Sequence, residues 1–222
     1  MKPNAKHDDI SLSALARCAR EAGVTVPEAA LPGLAEYLQL LCRWNKAMNL
    51  VGAHHWRDAM QRLVADSFHL ATFLDGLPLP EDPLCWDLGS GAGLPAIPLR
   101  MAWQRGTCWL VEAREKRAIF LSTVLARVPL PGTHVFRGRV EHFFPKQARK
   151  ADCITSRAFM PWPQLLELVA PHLADDGIVV ILAREEPPAA GDINGWELVG
   201  SFAYTADNVH RWFWALRRRA EG

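Results

Sequence analysis

The chain has 222 residues, half of them hydrophobic and 22% charged, which is the composition of a soluble globular protein with one substantial domain and an appendage rather than two independent cores. With 25 basic and 24 acidic side chains the formal net charge is +1, so any surface for nucleic acid must be local, and no global excess marks the chain for a membrane. The five cysteines are widely spaced, without a C-x-x-C or Cys/His cluster, which argues against disulfides and structural zinc. The opening M-K-P-N-A-K-H-D-D lacks an apolar core and no apolar run is long enough to span a bilayer, so a cytoplasmic protein is expected.

In chain order, residues 11–75 carry helical periodicity alone. Leu12, Leu15, Ala16 and Ala19 recur at three- and four-residue spacing, as do Leu34, Leu38 and Leu41, and a third helix is expected over 56–74. The proline-rich segment 76–83 is the expected boundary between an N-terminal helical extension, residues 1–76, and a larger domain, residues 77–222. From there strands and helices alternate: strand 84–88, helix 95–103, strand 107–112, helix 113–128, strand 133–136, strand 151–156, helix 162–173 and strand 177–183. Two last strands, 196–204 and 210–216, have no room for a crossover helix between them and are expected to pair antiparallel. This pattern implies an α/β fold, a mostly parallel seven-stranded sheet with an antiparallel terminal strand.

The first strand of that sheet runs into Asp87-Leu-Gly-Ser-Gly-Ala-Gly93, with Gly89, Gly91 and Gly93 at alternate positions. A glycine-rich turn from strand to helix is the general site for a nucleotide-like ligand at the carboxyl edge of a sheet. The spacing is not the G-x-G-x-x-G of nicotinamide enzymes. It matches the D-x-G-x-G-x-G loop of S-adenosylmethionine-dependent methyltransferases, whose fold is Rossmann-like. Glu112 ends the second strand, where a carboxylate can accept both ribose hydroxyls; it can equally cap the next helix, and the turn can equally be a tight turn without a ligand. The segment after the fourth strand, Ser156-Arg-Ala-Phe-Met-Pro161, is not the D/N-P-P-Y/F of amine methyltransferases, and Cys153, inside a strand, reads as a buried thiol rather than a nucleophile. No catalytic His/Asp constellation stands out among the eight histidines. An acceptor that has a free lone pair and no proton to lose, such as guanine N7, needs no strong base.

Several segments together resemble one family, the RsmG (GidB) methyltransferases of small-subunit ribosomal RNA. They are Trp44-Asn45-Lys46-x-x-Asn49-Leu50, Arg62-x-x-x-Asp66-Ser67, Asp87 to Pro98, Glu112-x-x-x-Lys116-Arg117-x-x-Phe120-Leu121, Arg139-Val140-Glu141 and Ser156-Arg157-Ala158-Phe159. The resemblance implies methylation of guanine 527 at N7 in the 530 loop of 16S rRNA, with S-adenosylmethionine as cofactor. It implies that Gly89, Leu94, Val140, Glu141 and Arg157 line the cofactor site, beside Asp87, Gly91, Gly93 and Glu112, with Arg157 between cofactor and target base. Arg62, Arg139 and Arg184 are the expected RNA contacts, with Arg57, Arg137 and Arg211 as further candidates. The expected partner is 16S rRNA or the small ribosomal subunit, the expected state a monomer, and no metal is implied. The chain departs from the family pattern at Val51, Leu63, Ala96 and Ala183-Arg184, changes that barely touch cofactor binding and bear on the substrate side. The competing readings are a methyltransferase for a small molecule or protein, which the same fold serves, and a catalytically decayed RNA-binding module.

Overall fold

A computed structural model describes residues 10–189, 193–207 and 209–219. The first nine residues, whose lack of an apolar core was noted above, lie outside the described residues. Helix α1, Leu12–Glu21, begins where the Ser11 hydroxyl accepts from the Ala14 N–H at 3.3 Å; of its expected stripe it buries Leu15 and Ala19, with Cys18 beside them, while Ala16 is half-buried and Leu12, in the first turn, is exposed. Helix α2, Leu31–Met48, carries a proline in its first turn and stops at Asn49, whose φ of 48° ends the helix in the left-handed region.

The third helical stretch is the first departure from the pattern. It divides into α3, Trp56–Ala59, a π-helical turn over Met60–Val64, and α4, Ala65–Asp75. Periodicity cannot show a π turn, because one extra residue per turn shifts the apolar stripe without interrupting it. The turn falls on the Arg62-x-x-x-Asp66 segment, and both side chains reappear at the candidate site.

The sheet contains β1 (Leu84–Leu88), β2 (Thr107–Glu112), β3 (Thr133–Arg137), β4 (Ala151–Ser156), β5 (Leu173–Ala183), β6 (Trp196–Ala206) and β7 (Val209–Arg218), in the order β3-β2-β1-β4-β5-β7-β6. The first five run parallel; β7 lies antiparallel between β5 and β6, as the missing crossover requires. Strand β5 starts four residues before the expected strand because Leu173 already pairs with Ala151 ahead of a bulge. Helices α5 (Ala96–Ala102), α6 (Glu115–Arg127) and α8 (Trp162–Val169) cover the faces, and a short α7, Val140–Phe143, follows β3, too brief for periodicity to reveal.

One apolar core runs across residue 76, joining Leu15, Leu34 and Leu70 of the helical part to Ile97, Phe120 and Phe213. A second cluster, with Trp86, Phe143 and Trp214, covers the opposite sheet face. The Arg100 side chain, 1% exposed, is held by the carbonyls of Trp103, Gln104, Gly106 and Pro131 and by the Thr133 hydroxyl, tying the end of α5 to the loops before β2 and β3. At the other edge of this layer, the Tyr37 hydroxyl donates to the Ala92 carbonyl at 2.9 Å, so helix α2 is bonded directly to the glycine turn.

Candidate methyl-transfer site

The carboxyl ends of β1, β2 and β4 converge, and the glycine turn lies across them. All three glycines have positive φ: Gly89 at 74°, Gly91 at 59° and Gly93 at 76°. A side chain is strained at each, but the surroundings differ. A Cβ on Gly89 would lie 2.6 Å from the Phe159 ring, and one on Gly93 would lie 2.4 Å from Ile97, whereas Gly91 has room, its nearest side-chain neighbour being Arg117 Nη1 at 3.7 Å. The turn is fixed by bonds from the Gly89 and Ser90 N–H groups to the Val111 carbonyl.

Glu112 is buried with both carboxylate oxygens engaged. Oε2 accepts from the Gly91 N–H at 2.8 Å and Oε1 from the Arg114 N–H at 2.7 Å. The capping role and the turn-fixing role are therefore both present, and each oxygen keeps a lone pair for a further donor. Asp87 is buried behind the turn. Thr155 donates to its Oδ1 at 3.0 Å, its Oδ2 has no partner, and burial pushes its carboxyl above the ordinary range against the opposing Ser90 and Thr155 bonds.

A cavity of about 620 Å³ opens over this turn. Of the residues singled out for a cofactor, Gly89, Glu112, Val140 and Glu141 line it, while Asp87, Gly91, Gly93 and Leu94 form the layer behind. Arg139, singled out for RNA, stands on this rim too, paired with Glu141 at 3.4 Å. The size and the lining suit a small ligand with vicinal hydroxyls: a glycine cradle, a carboxylate whose free lone pairs can accept, and an apolar floor at Val111 and Val140.

A second cavity, about 650 Å³, adjoins the first and shares Ala158 and Met160 with it. Arg157, Arg62 and Arg184 all face this one. The dividing turn is strained, since Ala158 has φ 54°, a left-handed conformation that costs a residue with a Cβ about 1–2 kcal/mol. Here lies a group that the Arg62-x-x-x-Asp66-Ser67 motif contains but to which no role was assigned. Asp66, its side chain only 4% exposed, accepts from Arg211 Nη1 on both oxygens at 2.6 and 2.5 Å and from Arg157 Nη1 at 3.5 Å. The Arg62 carbonyl, in the π turn, accepts from the same Arg211 nitrogen at 2.8 Å. Burial, and then the Asp66 charge, push the Tyr204 phenol upward, so it stays protonated beside them. One carboxylate thus joins α4, the turn after β4, and β7. The available signal was its place in the Arg62-x-x-x-Asp66-Ser67 motif, an acid flanked by Val64, Ala65 and Phe68.

A Rossmann-like sheet with a glycine cradle and a facing carboxylate defines the class of S-adenosylmethionine-dependent methyltransferases. A structure of such an enzyme from Thiobacillus denitrificans in complex with S-adenosyl-L-homocysteine superposes with a TM-score of 0.52 at 13% identity, covering 71% of this chain and 92% of that one. Residues 30–189 match the family described as rRNA small subunit methyltransferase G. The chain belongs to this family. It is 52% identical to the ribosomal RNA small subunit methyltransferase G of Nitratidesulfovibrio vulgaris over 94% of this chain and 95% of the relative. It is 43% identical to that of Lawsonia intracellularis, over 94% and 96%.

Proposed function

We propose that this protein transfers a methyl group from S-adenosylmethionine to N7 of guanine 527 in the 530 loop of 16S rRNA, acting as a monomer in the cytoplasm on the rRNA or the small subunit. The observation that carries this reading is the meeting of two cavities at the 157–160 turn, one backed by the glycine cradle and the other walled by guanidinium groups. The relatives' name supplies the ribosomal substrate.

Bound S-adenosylmethionine supplies an activated methyl group, so the protein's task is to hold the acceptor in line with it. Glu112 takes the ribose hydroxyls with its remaining lone pairs, and the bare Cα of Gly89 lets the backbone pass close to the ligand. Val140 and Glu141 flank the adenine. Across the turn, Arg157 donates to guanine O6; it does not donate to N7, whose lone pair is the nucleophile. N7 has no proton to lose, so no general base is required.

The guanine ring becomes cationic as the bond forms. Two unneutralised guanidinium groups beside it would oppose that charge, and Asp66 offsets one of them while fixing the direction of Arg157. Asp66 is a positioning residue in this scheme.

The test is methylation of 16S rRNA and of 30S subunits from cells lacking this activity, with the product mapped by cleavage at N7-methylguanine. One methyl group at guanine 527 is expected. Transfer to another base, to transfer RNA or to a protein would overturn the assignment.

A further inference from the structure

We propose that the junction of α2 and α6 holds the phosphate backbone of the RNA substrate, through Arg43, Lys46 and Lys116 outside the cofactor cavity and Arg114 and Arg117 on its rim; this rests on the reading of the chain as an rRNA methyltransferase. Most of the cations expected to bind RNA are already neutralised. Arg62 pairs with Asp207 at 3.0 Å, Arg137 with Glu115 at 2.7 Å, Arg139 with Glu141 at 3.4 Å, and Arg211 with buried Asp66. Arg43, Lys46, Arg114, Lys116 and Arg117 have no carboxylate partner among the described residues, and all but the half-buried Arg117 are exposed.

These five lie at one end of a helix pair. Glu36, near the start of α2, pairs with Arg127 at the end of α6 at 3.0 Å, while Trp44, near the end of α2, packs edge-on against Phe120 with ring centres 5.6 Å apart. The helices therefore run antiparallel, which brings the last turns of α2 beside the first turn of α6. That end is the cavity end: Arg114 and Arg117 line the cavity, and Arg117 Nη1 reaches the glycine turn.

The placement on α6 is unfavourable for the free protein. A helix N-terminus carries partial positive charge and favours acids in its first turn. Here Arg114, Lys116 and Arg117 stand there, and the one acid among them, Glu115, is committed to Arg137. A polyanion relieves that repulsion. A ridge of free cations continuous with the methyl-transfer cavity fits an RNA strand whose base enters the site while its phosphates lie along the helices.

The experiment compares the wild-type protein, the triple variant Arg43→Gln/Lys46→Gln/Lys116→Gln and the distant control Lys150→Gln. Each is titrated with a 16S rRNA transcript containing the 530 loop over a range of KCl. Each lost phosphate contact lowers the slope of log K against log salt by roughly 0.7–0.9, so the triple variant should lose about 2 in slope and on the order of tenfold in affinity. KM for RNA should rise in parallel, with kcat at saturating RNA and S-adenosylmethionine binding within about twofold of wild type, because the altered residues do not line the cavity. A triple variant with wild-type slope and KM would overturn the surface while leaving the functional reading intact. A wild-type protein that methylates no RNA would overturn both. Should the triple variant fold poorly, Lys46→Gln and Lys116→Gln alone should each lower the slope by about 0.7–0.9, and their failure to do so would overturn the proposal.

Discussion

The two cavities that meet at Ala158 are nearly equal in volume, about 620 and 650 Å³, yet they are built by opposite means. The first is made of backbone: three left-handed glycines, main-chain N–H groups and one carboxylate that orders them. The second is made of charged side chains drawn from α4, the turn after β4, and β7 and held together by a single buried acid. A backbone site should fail through conformation and a side-chain site through charge, and substitutions can separate the two.

The largest expected effect is on the backbone side. Gly89→Val places a branched side chain at φ 74° and against the Phe159 ring. Strain of about 3 kcal/mol corresponds to on the order of a hundredfold loss of S-adenosylmethionine affinity, readable by calorimetry. Affinity within threefold of wild type would show that the cradle does not meet the cofactor.

Asp66→Asn tests the other side by removing charge while keeping shape. It leaves two guanidinium groups without a counter-ion, and breaking such a buried pair costs about 3–5 kcal/mol of stability. Among the molecules that remain folded, kcat should fall roughly tenfold or more while S-adenosylmethionine binding stays near wild type. Equal loss of binding and turnover would mean that the two cavities are not separable.

Arg157→Ala should lower transfer without abolishing it. Loss of a charge-assisted hydrogen bond costs about 1.5–3 kcal/mol, a tenfold to hundredfold drop in kcat/KM with RNA. Arg217, paired with Glu197 at the partly exposed far end of β7, is the control: Arg217→Ala should change stability by less than about 1 kcal/mol and leave the rate unaltered. Indistinguishable small effects would return Arg157 to an ordinary surface role.

The smallest effect is on pH dependence. Burial holds His69, 4.5 Å from the Tyr204 ring, below the ordinary histidine range, against the opposing pull of Asp66. The unfolded chain then takes up this proton before the folded one does. The associated stability is complete above the ordinary histidine pKa and is lost as pH falls from there through the folded value. His69→Phe should flatten the melting temperature over that acid interval; an unchanged profile would mean that His69 titrates normally.

The same contrast explains what was legible in the sequence. The glycine turn, Glu112 and the alternation of strands and helices are contiguous features whose meaning lies in local spacing, and the structure realises each of them. Asp66 and Arg211 lie 145 positions apart, and their bond depends on how β7 inserts beside β5. No local pattern encodes that distance. The π turn was hidden because it shifts the apolar stripe without interrupting it, and α7 because four residues are too few to show a period. The charges singled out for RNA were picked by position, whereas pairing decides which cations remain free, and pairing is tertiary.

The Tyr37 hydroxyl, bonded to the Ala92 carbonyl, ties the helical extension to the turn proposed to hold the cofactor. Whatever ligand fixes the glycine turn also fixes the acceptor of that bond, and linkage is reciprocal: a firmly docked α2 raises ligand affinity by the same factor by which the ligand protects α2. Amide exchange along α2 and β1 should therefore slow together when the ligand is added, a coupling that a free-standing appendage would not show.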